Sequence, residues 1–158
     1  MSIEIREVAW DHPDAIALRE AQRVEVREVF YPELEDSEPG PHPSASDMTV
    51  FYVAYDDDLA VGAGGLRAID DEHGEIKRMY VDPTHRGSGV AANIVSALEA
   101  DARSRGWNRV VLETGDRMLG AQLFYQRQGY RPIEPFGPYV GSDLSRCFEK
   151  RLGSETGV

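Results

Sequence analysis

Cysteine occurs once in these 158 residues, at Cys147, so no intramolecular disulfide forms and nothing offers the Cys/His spacing of a zinc site. Long apolar runs are missing too: no segment approaches the roughly 18 apolar residues that a membrane-spanning helix needs. Met1 to Arg6 alternates apolar and charged residues, without the basic start and apolar core of a secretory signal. Positive charge is scarce, with 17 Lys and Arg against 28 Asp and Glu and a net charge of -11. A phosphate backbone is therefore a poor partner, because nucleic-acid binding shows as a basic face. These absences predict no metal, no nucleic acid and no membrane, and make the reducing cytoplasm the expected location.

What is present is patterned for a folded chain. Hydrophobic residues make up 41% of the sequence, and the length suits one domain, residues 1–158, with a single core. The acidity fits a cationic substrate such as an amine, and fits equally well a surface charge that only keeps the chain dispersed.

Alternation of Ile3, Ile5 and Val8 with charged residues predicts a half-buried first strand. Asp11 or His12 is placed to cap a helix whose first turn takes Pro13 and which meets no breaker from Asp14 to Phe30. From Tyr31 to Asp47, four prolines and Gly40 predict a surface loop. Met48 to Tyr55, Leu59 to Ile69 and Glu75 to Val81 read as strands of an antiparallel meander, because only short polar joints separate them. Gly62, Gly64 and Gly65 in the middle strand predict a bulge or a close approach by another group.

Val90, Ala91, Ile94, Val95, Leu98 and Ala102 recur at helical spacing up to Arg105, with Asn93, Glu99 and Arg103 assigned to the outer side. Gly106 ends that helix, and Arg109 to Thr114 follows as a strand parallel to the one before it, a right-handed crossover. Met118 to Gln128 reads as another helix ended by Gly129, Pro132 to Gly141 as turns, and Ser145 to Lys150 as a last strand. The predicted fold is mixed α/β around one sheet.

The most informative stretch is Met79-Tyr80-Val81-Asp82-Pro83-Thr84-His85-Arg86-Gly87-Ser88-Gly89-Val90-Ala91, a glycine-bearing loop between a strand and a long helix. Unpaired N–H groups and the positive end of the helix dipole make such a junction a place for a pyrophosphate. The loop lacks the lysine-serine or lysine-threonine of an NTPase phosphate loop and the three spaced glycines of a dinucleotide fold.

Arg86-x-x-Gly89-x-Ala91 resembles the signature of the GNAT superfamily of N-acetyltransferases: Arg or Gln, two residues, Gly, one residue, then Gly or Ala. Glu75 to Val81 resembles that family's fourth strand, and Tyr125-x-x-x-Gly129-Tyr130 its tyrosine helix followed by a Gly-aromatic pair. With the flanking elements the similarity spans residues 3–152. The resemblance implies a mostly antiparallel sheet splayed between strands 4 and 5, with the pantetheine arm of acetyl-CoA in the gap.

It further implies cofactor contacts from the main chain of Met79, Tyr80 and Val81, and a pyrophosphate cradle of Arg86, Gly87, Ser88, Gly89, Val90 and Ala91, with the Arg86 guanidinium adding charge. By the same resemblance Glu75 is the general base, drawing the amine proton off through water, and Tyr125 protonates or hydrogen-bonds the departing CoA sulfur. Competing assignments are a Glu75–Lys77 strand pair and an ordinary core role for Tyr125. Many relatives carry asparagine where this chain has Met118, which puts one cofactor contact in doubt.

The implied activity is transfer of an acetyl group from acetyl-CoA to a primary amine of a small molecule or protein. A sensor that binds acyl-CoA without turnover is the alternative. Substrate choice is expected from the first helix, the proline-rich loop and the Pro135 to Tyr139 turn, with Phe30, Tyr31 and Tyr139 as walls and the direction of Arg78 open. His12, His42, His73 and His85 read as surface residues, and Cys147 as a buried inert thiol. A homodimer is the commonest two-fold assembly for such a chain.

Overall fold

The computed structural model describes residues 2–34 and 45–153. Its strands are β1 (Ile3–Glu7), β2 (Val50–Asp56), β3 (Leu59–Ala68), β4 (His73–Val81), β5 (Arg109–Gly115), β6 (Arg131–Ile133) and β7 (Ser145–Arg151), and its α-helices are α1 (Pro13–Glu25), α2 (Val90–Ser104) and α3 (Leu119–Arg127). All the strands join one sheet in the order β1-β2-β3-β4-β5-β7-β6. The β4–β5 pair is parallel and the rest antiparallel. This is the mixed α/β architecture expected.

Alternating strand residues build a core on each face. On one, Ala15 and Leu18 of α1 pack over Phe51, Val53, Tyr55 and Ala63. On the other, Ile94, Val95, Leu98 and Ala102 of α2 pack over Leu66, Ile76, Val110 and Leu112. The small residues of β3 let α2 come close: a β-carbon on Gly64 would lie 2.4 Å from Met79 Sδ and 2.9 Å from Ile94 Cγ2. These glycines thus serve a close approach, and the bulge is present too, as the β3–β4 register shifts between Ala63 and Gly65.

Several expectations change at element ends. His12 caps α1 by accepting from the Asp14 N–H at 3.1 Å, and Pro13 occupies the first turn. The helix does not run regularly to Phe30: it ends at Glu25, and Val26–Phe30 forms a π-helical turn. Pro132 lies not in a turn but in β6, the sheet edge, where a missing N–H is tolerated. His42 and most of the proline-rich loop lie outside the described residues.

Two side-chain expectations are corrected. Glu99, assigned to the outer side of α2, is buried, because Tyr130 Oη donates to it at 2.8 Å and Lys150 Nζ at 3.0 Å. A carboxylate is tolerated in such a place only when paired and hydrogen-bonded. His85 is not a plain surface residue: its Nε2 meets Asp56 Oδ2 at 3.0 Å and its side chain is only 15% exposed. Among the described residues, no helix is long and apolar enough to cross a membrane.

Candidate active site

The site begins where two paired strands part. β4 and β5 pair from His73↔Arg109 to Ile76↔Leu112 and no further. Beyond that point β4 continues through Lys77–Val81 and β5 through Glu113–Gly115, with no ladder between them. The splay has a local cause in β4. Arg78 has φ +59, a conformation costly for a side chain with a β-carbon, and the β3 register slips opposite it between Ala63 and Gly65. This bulge bends β4 and turns the Met79 carbonyl towards α1, where Gln22 Nε2 donates to it at 3.0 Å.

At the far end of β4, Asp82 caps a 3-10 turn at Pro83–His85. Its carboxyl is held below the ordinary range by the hydroxyl and N–H of Thr84. Gly87 (φ +79) and Gly89 (φ +88) then carry the chain through left-handed conformations into α2. A β-carbon on either would meet no atom within 4 Å, so the space over the loop is open. Ser88 Oγ donates to the His85 carbonyl, while Val90 is buried and anchors the first turn of α2. An open, glycine-built start to a 15-residue helix suits a pyrophosphate.

Arg86 lies differently from expectation. Its Nε donates to the Val81 carbonyl at 2.8 Å, and its Nη2 lies 2.8 Å from each carboxylate oxygen of Glu25. The guanidinium ties α1 to the end of β4, close to the Tyr80 ring at 5.5 Å, and both the Met79 and Val81 carbonyls are occupied by side chains.

Within the gap lies a cavity of about 190 Å³, bounded by α1, the π-helical turn, β4, β5 and α3. Glu75 and Tyr125 both line it. Glu75 is 2% exposed, with Oε1 taking Arg67 Nη1 at 3.2 Å and Oε2 taking the Tyr139 hydroxyl at 2.8 Å. Lys77 Nζ lies 3.7 Å from the same carboxylate and donates to Tyr139 Oη at 2.7 Å. The strand pair weighed for Glu75 is present, but as part of a larger buried network. Tyr139 stays a neutral phenol, because burial and the Glu75 carboxylate both raise its pKa.

Tyr125 is buried, its ring set edge-on to Phe124 and Tyr130. Burial raises its pKa, and its hydroxyl has no hydrogen-bond partner among the described residues. A phenol that stays protonated and faces a cavity unpaired is a ready donor.

Of the expected walls, Tyr31 and Tyr139 line the cavity and Phe30 does not. Tyr31 donates to Asp116 Oδ1 at 2.6 Å and accepts from the Arg117 N–H at 3.1 Å. Arg78 does face the cavity, as does Met118. Gln22 and the Tyr139–Lys77 link were missed by sequence reasoning. No local pattern marks Gln22, which lies in the last turn of α1.

This geometry has close counterparts. The sequence profile of the acetyltransferase (GNAT) family matches residues 13–130, well over half of the chain. An IAA acetyltransferase of Azospirillum brasilense is 39% identical over 104 residues, 65% of this chain and 67% of that protein. A Klebsiella pneumoniae structure described as a candidate acyl-CoA N-acyltransferase superposes with TM-score 0.81 at 30% identity, covering 96% of this chain and 98% of that one. The fold is also that of the PaiA N-acetyltransferase of Thermoplasma acidophilum in complex with coenzyme A, with TM-score 0.70 at 18% identity over 96% of this chain and 100% of that one. The strand splay, the glycine loop and these likenesses lead to one conclusion: the chain belongs to the GNAT family of acetyltransferases, enzymes that move an acyl group from an acyl-CoA donor.

Proposed function

We propose that this chain transfers the acetyl group of acetyl-CoA to a primary amine of a small molecule or protein by direct attack within a ternary complex. The observation that carries the reading is the unpaired stretch of β4 and β5, which runs from a buried carboxylate at Glu75 to the open glycine loop at the start of α2. Backbone groups of Met79, Tyr80 and Val81 would flank the pantetheine arm, and those of Arg86 to Ala91 the pyrophosphate. Arg86 then acts less as a free charge than as the tie that fixes the end of β4 beside α1.

In the reaction the amine nitrogen forms a bond to the thioester carbon, the C–S bond breaks, and the amine proton must leave. Glu75 would take that proton through water, with Tyr139 and Arg67 fixing its carboxylate. Tyr125 would donate a hydrogen bond to the departing sulfur. Its raised pKa favours that role over full proton transfer to a thiolate, which is the weaker base. The two residues given roles at the reacting atoms, Glu75 and Tyr125, both line the cavity. The lone buried cysteine fits a cytoplasmic setting.

Calorimetric titration with acetyl-CoA and with free CoA, followed by thiol release against a panel of amines, tests the reading. Binding with amine-dependent release is the expected result. Binding without release from any amine would instead indicate a sensor, and absence of binding would remove the cofactor assignment.

A further inference from the structure

The cavity is bounded from both faces of the sheet. α1 packs on one face, over Phe51, Val53, Tyr55 and Ala63, while Tyr125 of α3 belongs to the core on the other face, with Ile94 and Leu98 of α2. Gln22 of α1 and Tyr125 nevertheless line the same space, because β4 and β5 part between them. With the leaving sulfur assigned to Tyr125, the side that α1 covers is left for the nucleophile.

On that side stands an atom with an unmet requirement. Gln22 Oε1 is buried and has no hydrogen-bond partner among the described residues. The amide is held by its other end, where Nε2 donates to the Met79 carbonyl at 3.0 Å. A carbonyl only accepts, so the amide cannot turn over to bring Oε1 to it. Oε1 is thus an acceptor fixed in place without a donor. Buried polar atoms are rarely left so, and a ligand N–H would relieve the desolvation penalty.

We propose that Gln22 Oε1 accepts an N–H of the incoming amine and selects primary amines as acceptors. The assignment rests on the acetyltransferase reading above and adds the group that holds its nucleophile. The selection follows from the hydrogens on that nucleophile. A primary ammonium carries three N–H bonds. Loss of one proton to Glu75 through water leaves the neutral amine, whose nitrogen bonds to the thioester carbon. A second proton leaves the nitrogen as the C–S bond breaks and ends on the CoA thiol, and the amide product keeps one N–H. One hydrogen is therefore available to Oε1 from entry to product. A secondary amine loses its last N–H in becoming a tertiary amide, and an alcohol its only O–H in becoming an ester. Both would leave Oε1 unpaired as the new bond forms.

The test uses the full chain with acetyl-CoA and matched pairs of a primary amine and its N-methyl derivative, built on butyl, benzyl and 2-phenylethyl groups and on the lysine side chain. Thiol release gives kcat/KM for each member. Since the two kinds of amine differ in intrinsic reactivity, the quantity read is the change in their ratio on Gln22→Met, which keeps the length of the side chain and removes the acceptor. The preference for the primary amine should fall about tenfold or more, the effect of losing a hydrogen bond to a charged group, with CoA affinity by calorimetry unchanged. Simple loss of folded protein would lower both members alike, and Gln22→Leu takes the place of the methionine variant if that one does not fold.

An unchanged ratio would overturn the proposal while leaving the acetyltransferase reading intact. A fall in CoA affinity would overturn it too, and would give Oε1 to an amide N–H of the pantetheine arm instead. If no amine released thiol, the acetyltransferase reading would fail on its own, and calorimetry of the primary amines on the CoA-loaded chain would decide this one. Binding weakened about tenfold by Gln22→Met would support it, and binding unchanged or absent would end it.

Discussion

Single residues in the site divide into those whose polar atoms are spoken for and those whose atoms are not. Glu75, Tyr139 and Lys77 belong to the first kind, Tyr125 and Gln22 Oε1 to the second. Because the Tyr125 hydroxyl bonds to nothing among the described residues, Tyr125→Phe should leave thermal stability and CoA affinity nearly unchanged while turnover falls about 100-fold, as when one aimed donor is lost. Steady-state thiol release beside a melting curve reads both. Cys147 is predicted to be silent. Burial pushes its thiol up to about 11, so at pH 8 roughly one molecule in a thousand is thiolate. Ellman's reagent should react at pH 8 only after urea unfolds the chain, and fast labelling of the native protein would contradict this. Tyr125 stood out in the sequence through the resemblance alone, as the tyrosine four residues before Gly129 in the family's tyrosine-helix pattern. Glu99 did not: its partners, Tyr130 and Lys150, come from distant segments, and no local pattern distinguishes a paired glutamate from a solvated one.

Secondary elements were legible to the extent that their residues repeat. The β2–β3–β4 meander and α2 follow alternation and helical spacing closely, since burial of one face imposes both. The bulge at Arg78 leaves no such trace, because nothing in an arginine asks for positive φ and the conformation is imposed by neighbours. The glycines of β3 act through space: Gly64→Ala would push a β-carbon into Met79 and Ile94. Overpacking of this kind should cost about 1–3 kcal/mol, measurable as a lower urea midpoint. The loop before α2 should behave oppositely. A side chain at Gly89 finds empty space but the wrong φ, +88. Gly89→Glu should therefore keep a folded chain yet abolish CoA binding in calorimetry, through charge and bulk placed where the pyrophosphate would sit. Retained affinity would move the cradle elsewhere.

Over the whole molecule, composition speaks for the average surface and not for the cavity. A net charge of -11 fits a cationic substrate when averaged over the surface, while the lining mixes basic and acidic side chains. Averages hide this because the cleft gathers residues from α1 and β4, which lie far apart in sequence. The net charge predicts a salt effect. Long-range repulsion should slow the approach of the polyanionic acetyl-CoA, so stopped-flow association should quicken as ionic strength rises from about 10 mM to 150 mM and the Debye length shrinks. An association rate that falls with salt would contradict this.

The hydroxyl of Tyr31 touches Asp116 and the Arg117 amide while its ring lies under the Arg117 guanidinium, 4.8 Å away. It works as a buckle, fastening the segment after α1 to the strand end across the mouth of the cleft. No β-carbon fits at Gly115, which would lie 2.2 Å from that hydroxyl, so the fastening depends on a glycine as much as on the tyrosine. Two halves of the pocket that belong to different parts of the chain are thereby preorganised before either ligand arrives, and binding energy need not be spent on drawing them together.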